Sequence, residues 1–256
     1  KCGYRSDYKK PNLMKRYGVL LAILLAWELL GAFLPTQTNY IPLPHQVLVA
    51  LIEQLKGIDI YLDSFLSVEK VLVGFIAASF VGICGGLLLG YFTKAGKYVR
   101  PVIELLRPIP PIAYIPIAIL LFGLGNLPAY FIVFVGGFFP IFTNTYISVI
   151  SLPRVYKDVV SSFELSKSVY VSKILFPYCL PGIFTGLKIG MGTAWMSVIA
   201  AELVSGQSGL GYFIQINRLL LRVDNVLVGM VLIGLIGYLL NGIISSIERK
   251  VVIWRG

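Results

Sequence analysis

Residues 156–195 read YKDVVSSFELSKSVYVSKILFPYCLPGIFTGLKIGMGTAW and divide into two unlike halves. Up to about Leu175 the stretch is polar, with Leu165, Val169 and Ile174 spaced along a segment that also carries Lys157, Asp158, Glu164, Lys167 and Lys173. After Phe176-Pro177 and Leu180-Pro181 it turns apolar and rich in small residues. A charged, helix-patterned segment between two apolar spans is built to be touched from the water side, and the pattern predicts a short helix pair at residues 150–180. Its apolar face needs a cover, either a partner or the chain's own spans.

Outward from that stretch the chain is overwhelmingly apolar. Of 256 residues, 57% are hydrophobic and 13% charged, and the mean hydropathy is +0.83. A water-soluble core cannot hide that much apolar surface, so the expectation is an all-α, polytopic membrane protein. Six transmembrane helices are expected near residues 17–34, 66–92, 101–122, 128–149, 181–204 and 226–247, each about long enough to cross the hydrocarbon. The first lacks an Ala-x-Ala site and reads as a span rather than a cleaved leader.

The net charge of +10 is an orientation signal. With a cytoplasmic N-terminus, the inside segments hold Lys1, Arg5, Lys9, Lys10, Lys15, Arg16, Lys94, Lys97, Arg100, Arg154, Lys157, Lys167, Lys173, Arg249, Lys250 and Arg255. Outside lie only Lys56, Arg218 and Arg222, sixteen against three. Both termini are therefore expected in the cytoplasm: residues 1–16 as a tail against anionic lipid headgroups, 17–250 as one transmembrane domain, and 251–256 as a second tail. No nucleic-acid site is needed to explain the basic excess.

Between the first two spans, HQVLVALIEQLKG (45–57) places Val47, Leu48, Leu51, Ile52 and Leu55 on one helical face, predicting an amphipathic helix on the outer surface. His45, the single histidine, reads as a helix-start residue, since a metal site needs a cluster. Cys2, Cys84 and Cys179 have no metal-like or disulfide-like spacing. Glycine strips, Gly82/Gly86/Gly90 in the second span and Gly182/Gly186/Gly190 in the fifth, predict close helix contacts, and Gly229, Gly234 and Gly237 mark the sixth. The third span carries Pro108, Pro110, Pro111 and Pro116, which remove backbone donors and free carbonyls at membrane depth. Two readings stay open there: a kinked entry helix, or a passage bordered by Pro110, Ala113 and Tyr114. Lys188, well inside the fifth span, is expected either to snorkel to the cytoplasm or to face a wet cavity.

Neither GYFTKAGK (90–97) nor SGQSGLGYFI (205–214) has nucleotide-binding spacing. With no nucleophile, base or carboxylate pair to which a role can be given, the chain is not expected to be an enzyme. An ion-coupled secondary transporter is the alternative, although no convincing internal repeat supports it.

Several blocks together resemble the permease subunits of ATP-binding-cassette importers. Counting back from Pro177, Asp158 takes the acidic position of that family's EAA loop, Val159 and Val160 its two small residues, and Glu164 its glycine. The block Arg107-Pro108-Ile109-Pro110-Pro111-Ile112-Ala113-Tyr114-Ile115-Pro116 is similar to the family's R-P-x-P-P-x-A-x-x-P, and Ile41-Pro42-Leu43-Pro44, Phe138-Phe139-Pro140, Asn144-Thr145, Ala194-Trp195 and Ala200-Ala201-Glu202 also match. The likeness spans about residues 17–250 and is strongest to the nitrate, sulfonate, taurine and bicarbonate group. It implies a type I ABC importer permease fold in a bacterial inner membrane, with a cytoplasmic coupling helix. Its implied partners are a second copy of the chain, two ATPase subunits that bind ATP and Mg, and an extracytoplasmic substrate-binding protein. The chain itself would bind no cofactor or metal. Carried onto this sequence, Asp158, Glu164, Leu165, Ser166, Lys167, Ser168 and Val169 would couple to the ATPase, and Pro110, Ala113, Tyr114, Asn144, Trp195 and Ser197 would border the translocation pathway. Asn144 is equally readable as a hydrogen bond between helices.

Overall fold

The computed structural model describes residues 18–19, 21–23, 25–29 and 42–253, the Lys157 side chain excepted. The tail expected at 1–16, Cys2, Ile41, much of the first span and the last three residues lie outside these. The described residues between 18 and 29 are helical and are called α1. There follow α2 (Pro44–Gln54), α3 (Asp59–Tyr91), α4 (Thr93–Leu106), a 3₁₀ turn (Pro111–Tyr114) leading into α5 (Ile115–Phe122), and α6 (Asn126–Ile150). Then come α7 (Arg154–Ser162), α8 (Lys167–Val169), a π turn (Tyr170–Leu175), α9 (Phe176–Ser205), α10 (Leu210–Leu219) and α11 (Val223–Val251). No strand occurs among the described residues.

Four of these stretches are long and apolar enough to cross a membrane: α3, α6, the run Lys167–Ser205, and α11. Their outward faces are bare of protein, Phe80 of α3 at 71% and Met196 of α9 at 74% exposure, as expected of surfaces that meet lipid or another chain. The expected span at 101–122 is not one helix. Its two parts, Thr93–Leu106 and Pro111–Phe122, meet at 89°. Arg107 keeps helical geometry as the C-cap of α4, but Pro108, Pro110 and Pro111 offer no N–H to continue the ladder and Pro110, held ahead of Pro111, is extended (ψ 139°), so the chain stops and restarts with Pro111 in the first turn. The second span starts at Asp59 rather than near 66, and the fifth at Phe176 rather than 181. Pro177 opens α9 directly after the π turn, inside one continuous helical run rather than at a free helix start.

Helix α6 runs between α3 and α9, and glycine sets both distances. A Cβ on Gly86 of α3 would lie 2.7 Å from Thr145 Cβ of α6, and one on Gly190 of α9 would lie 2.8 Å from Ile141 Cγ1. Gly82, Gly90 and Gly186 sit equally close to Ile141, Val149 and Asn144, so both predicted strips are helix contacts. The strip in α11 is only partly so: Gly229 meets Ile214, Gly237 meets the Trp195 ring, and Gly234 has nothing within 4 Å. Helix α2 is amphipathic, but it docks on α11 through Val47 and Ala50 against Val228. Leu48, Ile52 and Leu55, expected on one apolar face with Val47, stay exposed beside that contact. His45 does sit in its first turn, with Nδ1 2.7 Å from Glu28 Oε1 of α1.

Candidate functional site

The polar segment that divides the sequence is a helix, a sharp turn and a second, composite helix. Helix α7 ends on Phe163, after which the Glu164 amide donates to Ser161 O (3.3 Å) and the Leu165 amide to Val160 O (3.0 Å). This pair of bonds reverses the chain only if the residue between them is left-handed, and Glu164 has φ 48°. The frame that aligns Glu164 with a glycine thus marks the one position of the turn where glycine is the least strained residue. Ser166 then begins α8, its Oγ accepting from Val169 N (3.4 Å). Over Tyr170–Leu175 the helix widens to π geometry just ahead of Pro177, whose ring crowds the carbonyl of Lys173. Tyr178 ties the segment to the bundle, its ring tilted against that of Tyr156 (ring centroids 5.8 Å) and its hydroxyl donating to Ser151 O (3.2 Å).

Of the coupling candidates, Asp158, Glu164, Ser166, Lys167, Ser168 and Val169 are exposed, and Leu165 is half-buried. The bare apolar surface lies elsewhere than Leu165 and Ile174. Val155, Val159 and Phe163 are 67%, 40% and 74% exposed and repeat every four residues, which lines them up on one face of α7. That spacing was the sequence signal for them.

The passage candidates are spread over the α4–α5 break, α6 and α9. Pro110 and Ala113 are exposed at the break between α4 and α5, and Tyr114 closes the 3₁₀ turn against a cluster formed by Ile115, Ala129, Ile132 and Ala201. Asn144 is half-buried on α6, its Nδ2 donating to Pro140 O (2.8 Å). Trp195 and Ser197 face into the helix bundle. The Trp195 indole lies over Gly237 and donates to Ile233 O of α11 (3.0 Å), while Ser197 Oγ lies against Gly136 of α6 and donates to Thr193 O (2.6 Å).

Two charge pairs sit within the spans. Lys188 Nζ, on a partly exposed side chain, meets Glu248 Oε2 in the last turn of α11 at 2.7 Å. At the other end of α9 the Glu202 carboxylate is 2.9 Å from Lys70 Nζ of α3, both side chains having essentially no exposure. Ser67 donates to both Glu202 oxygens (2.9 and 2.8 Å), and the Gly211 amide donates to Oε2 (3.0 Å). Among the described residues no group of three or more His, Cys, Asp or Glu is placed to hold a metal ion.

Residues 71–252 match the family described as the binding-protein-dependent transport system inner membrane component. The chain belongs to this family. It is 37% identical to a putative ABC transporter permease of Methanocaldococcus jannaschii, over 92% of this chain and 89% of that one. It is 32% identical to the nitrate import permease NrtB of Synechocystis (94% and 90% covered) and 29% identical to the taurine transport permease TauC of Escherichia coli (93% and 89%). Its fold is that of a chain in the inward-facing MetNI methionine ABC transporter, with a TM-score of 0.62 at 20% identity, covering 78% of this chain and 96% of that one.

As a permease of this family the protein is a multi-pass membrane subunit of an ABC importer, and its relatives are the non-catalytic membrane parts of transporters that work with ATPase and substrate-binding partners. The secondary-transporter alternative gives way to that membership. Lys70 had no place in the sequence reading, although Ser67 and Lys70, three apart, share a helix face, and Glu202 is followed by a glycine-rich run.

Proposed function

We propose that two copies of this permease enclose one pathway and that α7 and α8 dock on a separate ATPase subunit, one per copy. Both termini and the α7–α8 segment then lie in the cytoplasm, as the sixteen-to-three distribution of Lys and Arg favours. ATP and Mg²⁺ belong to the ATPases, since neither glycine-rich run of this chain has the spacing to cradle a phosphate. Closure of the ATPases pulls on the docked segments and tips the spans from inward to outward opening, and the binding protein delivers solute at the opposite face. The solute is a small oxyanion or sulfonate of the nitrate, taurine or bicarbonate kind, the first two being the cargo named for the relatives NrtB and TauC.

The observation that carries the docking reading is the exposed stripe Val155, Val159 and Phe163 on a helix otherwise facing water. Burying one such phenylalanine contributes about 2 kcal/mol. Phe163→Asp should therefore cut ATPase co-purification by more than about tenfold while the permease stays inserted. Retained association would refute docking through α7. Uptake of labelled nitrate, taurine and bicarbonate into proteoliposomes containing the whole transporter decides among the solutes.

A further inference from the structure

The buried pair Lys70–Glu202 is the centre of a joint among three helices and a loop. Glu202 sits in the last turn of α9, and its carboxylate accepts the Gly211 amide at the start of α10, which places negative charge at that helix's N-terminus. Ser67 Oγ accepts the neighbouring Leu210 amide (2.8 Å) while donating to Glu202. Lys70 Nζ reaches beyond Glu202 to Ser208 O (2.8 Å) and Ser208 Oγ (3.3 Å), and Asp63 Oδ1 accepts the Gly209 amide (2.8 Å). The connection 206–209 thus wraps Glu202 so tightly that a Cβ at Gly206, Gly209 or Gly211 would strike it. From α10 the contacts run on, Asn225 of α11 donating to Asn217 (2.9 Å) and Gln54 of α2 donating to Asn225 (3.3 Å).

A buried ion pair is a poor brace. Removing two charges from water offsets their attraction, and apolar side chains of similar size hold helices together as well. What the charges add here is direction, because beyond Ser67 their remaining hydrogen bonds go to the 206–211 connection, from Lys70 to Ser208 and from the Gly211 amide to Glu202. Glu202 also lies in the last turn of the helical run Lys167–Ser205, 35 residues and about 52 Å along the helix from Lys167, which follows α7 after a four-residue turn.

We infer that Lys70 and Glu202 are positioning residues that join the extracytoplasmic face, formed by α2 and α10, to α9, so that docking of the binding protein is felt at the ATPase contact. This rests on the orientation and partners given under Proposed function. The test uses the whole complex in nanodiscs, permease with ATPase, and the binding protein supplied with whichever of nitrate, taurine and bicarbonate raises its melting temperature. Glu202→Gln and the apolar double variant Lys70→Met/Glu202→Met are compared with the parent. In both, ATPase association and basal hydrolysis should stay within about twofold, while stimulation by the binding protein falls at least about tenfold. Undiminished stimulation in either variant overturns the inference. So does an equal fall in basal and stimulated rates, or failure of both variants to assemble, since each assigns the joint to folding alone. A parent that neither binds the ATPase nor responds to the binding protein refutes the proposed function instead.

Discussion

Replacing Glu164 by glycine should tighten the turn after α7. Glu164 occupies φ 48°, where its Cβ crowds the backbone at a cost of about 1–2 kcal/mol for an L-residue. Glycine escapes that cost but loses about 0.5–1 kcal/mol more chain entropy on ordering. The net gain is about 1 kcal/mol, or about a fivefold shift between the closed and opened turn. Two amides report it directly, those at 164 and 165, which donate to Ser161 O and Val160 O. Hydrogen exchange of the permease in nanodiscs should therefore show both amides about fivefold better protected in Glu164→Gly. Glu164→Val moves the other way, because a β-branched residue is less at ease still in this conformation. Equal protection in parent and glycine variant, with valine also neutral, would refute the claim that the turn stores left-handed strain.

Two further outcomes follow from geometry already described. Gly86→Val puts a branched side chain where a single carbon would already lie 2.7 Å from Thr145 Cβ, so α3 and α6 must part at a cost of at least about 1–3 kcal/mol; an unshifted melting temperature in detergent would contradict that packing. A cysteine placed at exposed Ser161 should react with an impermeant thiol reagent only from the cytoplasmic side, and labelling from outside would overturn the orientation.

Much of the bundle was legible because hydrocarbon imposes one rule, backbone satisfied within the helix, and α6 and α11 follow the apolar runs to within a few residues. The break at 107–110 was legible in kind, since prolines cannot continue a ladder, but its 89° angle depends on what α4 and α5 rest against. Glu164 was singled out by its alignment with a glycine, although its left-handed backbone is visible only in the fold. The Lys70–Glu202 joint was hidden by distance: its partners are 132 residues apart, and beside Glu69 the lysine reads as one more charge near an interface. Trp195 is marked by a family letter and Ser197 lies beside it, and neither says which way a helix is turned. Rotation about the α9 axis is set by the glycines facing α6 and by the Trp195 contact with α11.

The broken third span bears on how the protein enters the bilayer during synthesis. Pro111–Phe122, a 3₁₀ turn of four residues and an α-helix of eight, is about 20 Å long, well short of the roughly 30 Å of hydrocarbon. Insertion machinery that weighs one emerging helix at a time has too little apolar length here to release it sideways into lipid. Residues 111–122 must wait for α6, which follows after three residues and supplies Ala129 and Ile132 as its apolar seat. The two are expected to enter as a hairpin, and a chain cut short before Asn126 would leave residues 111–122 without their apolar seat.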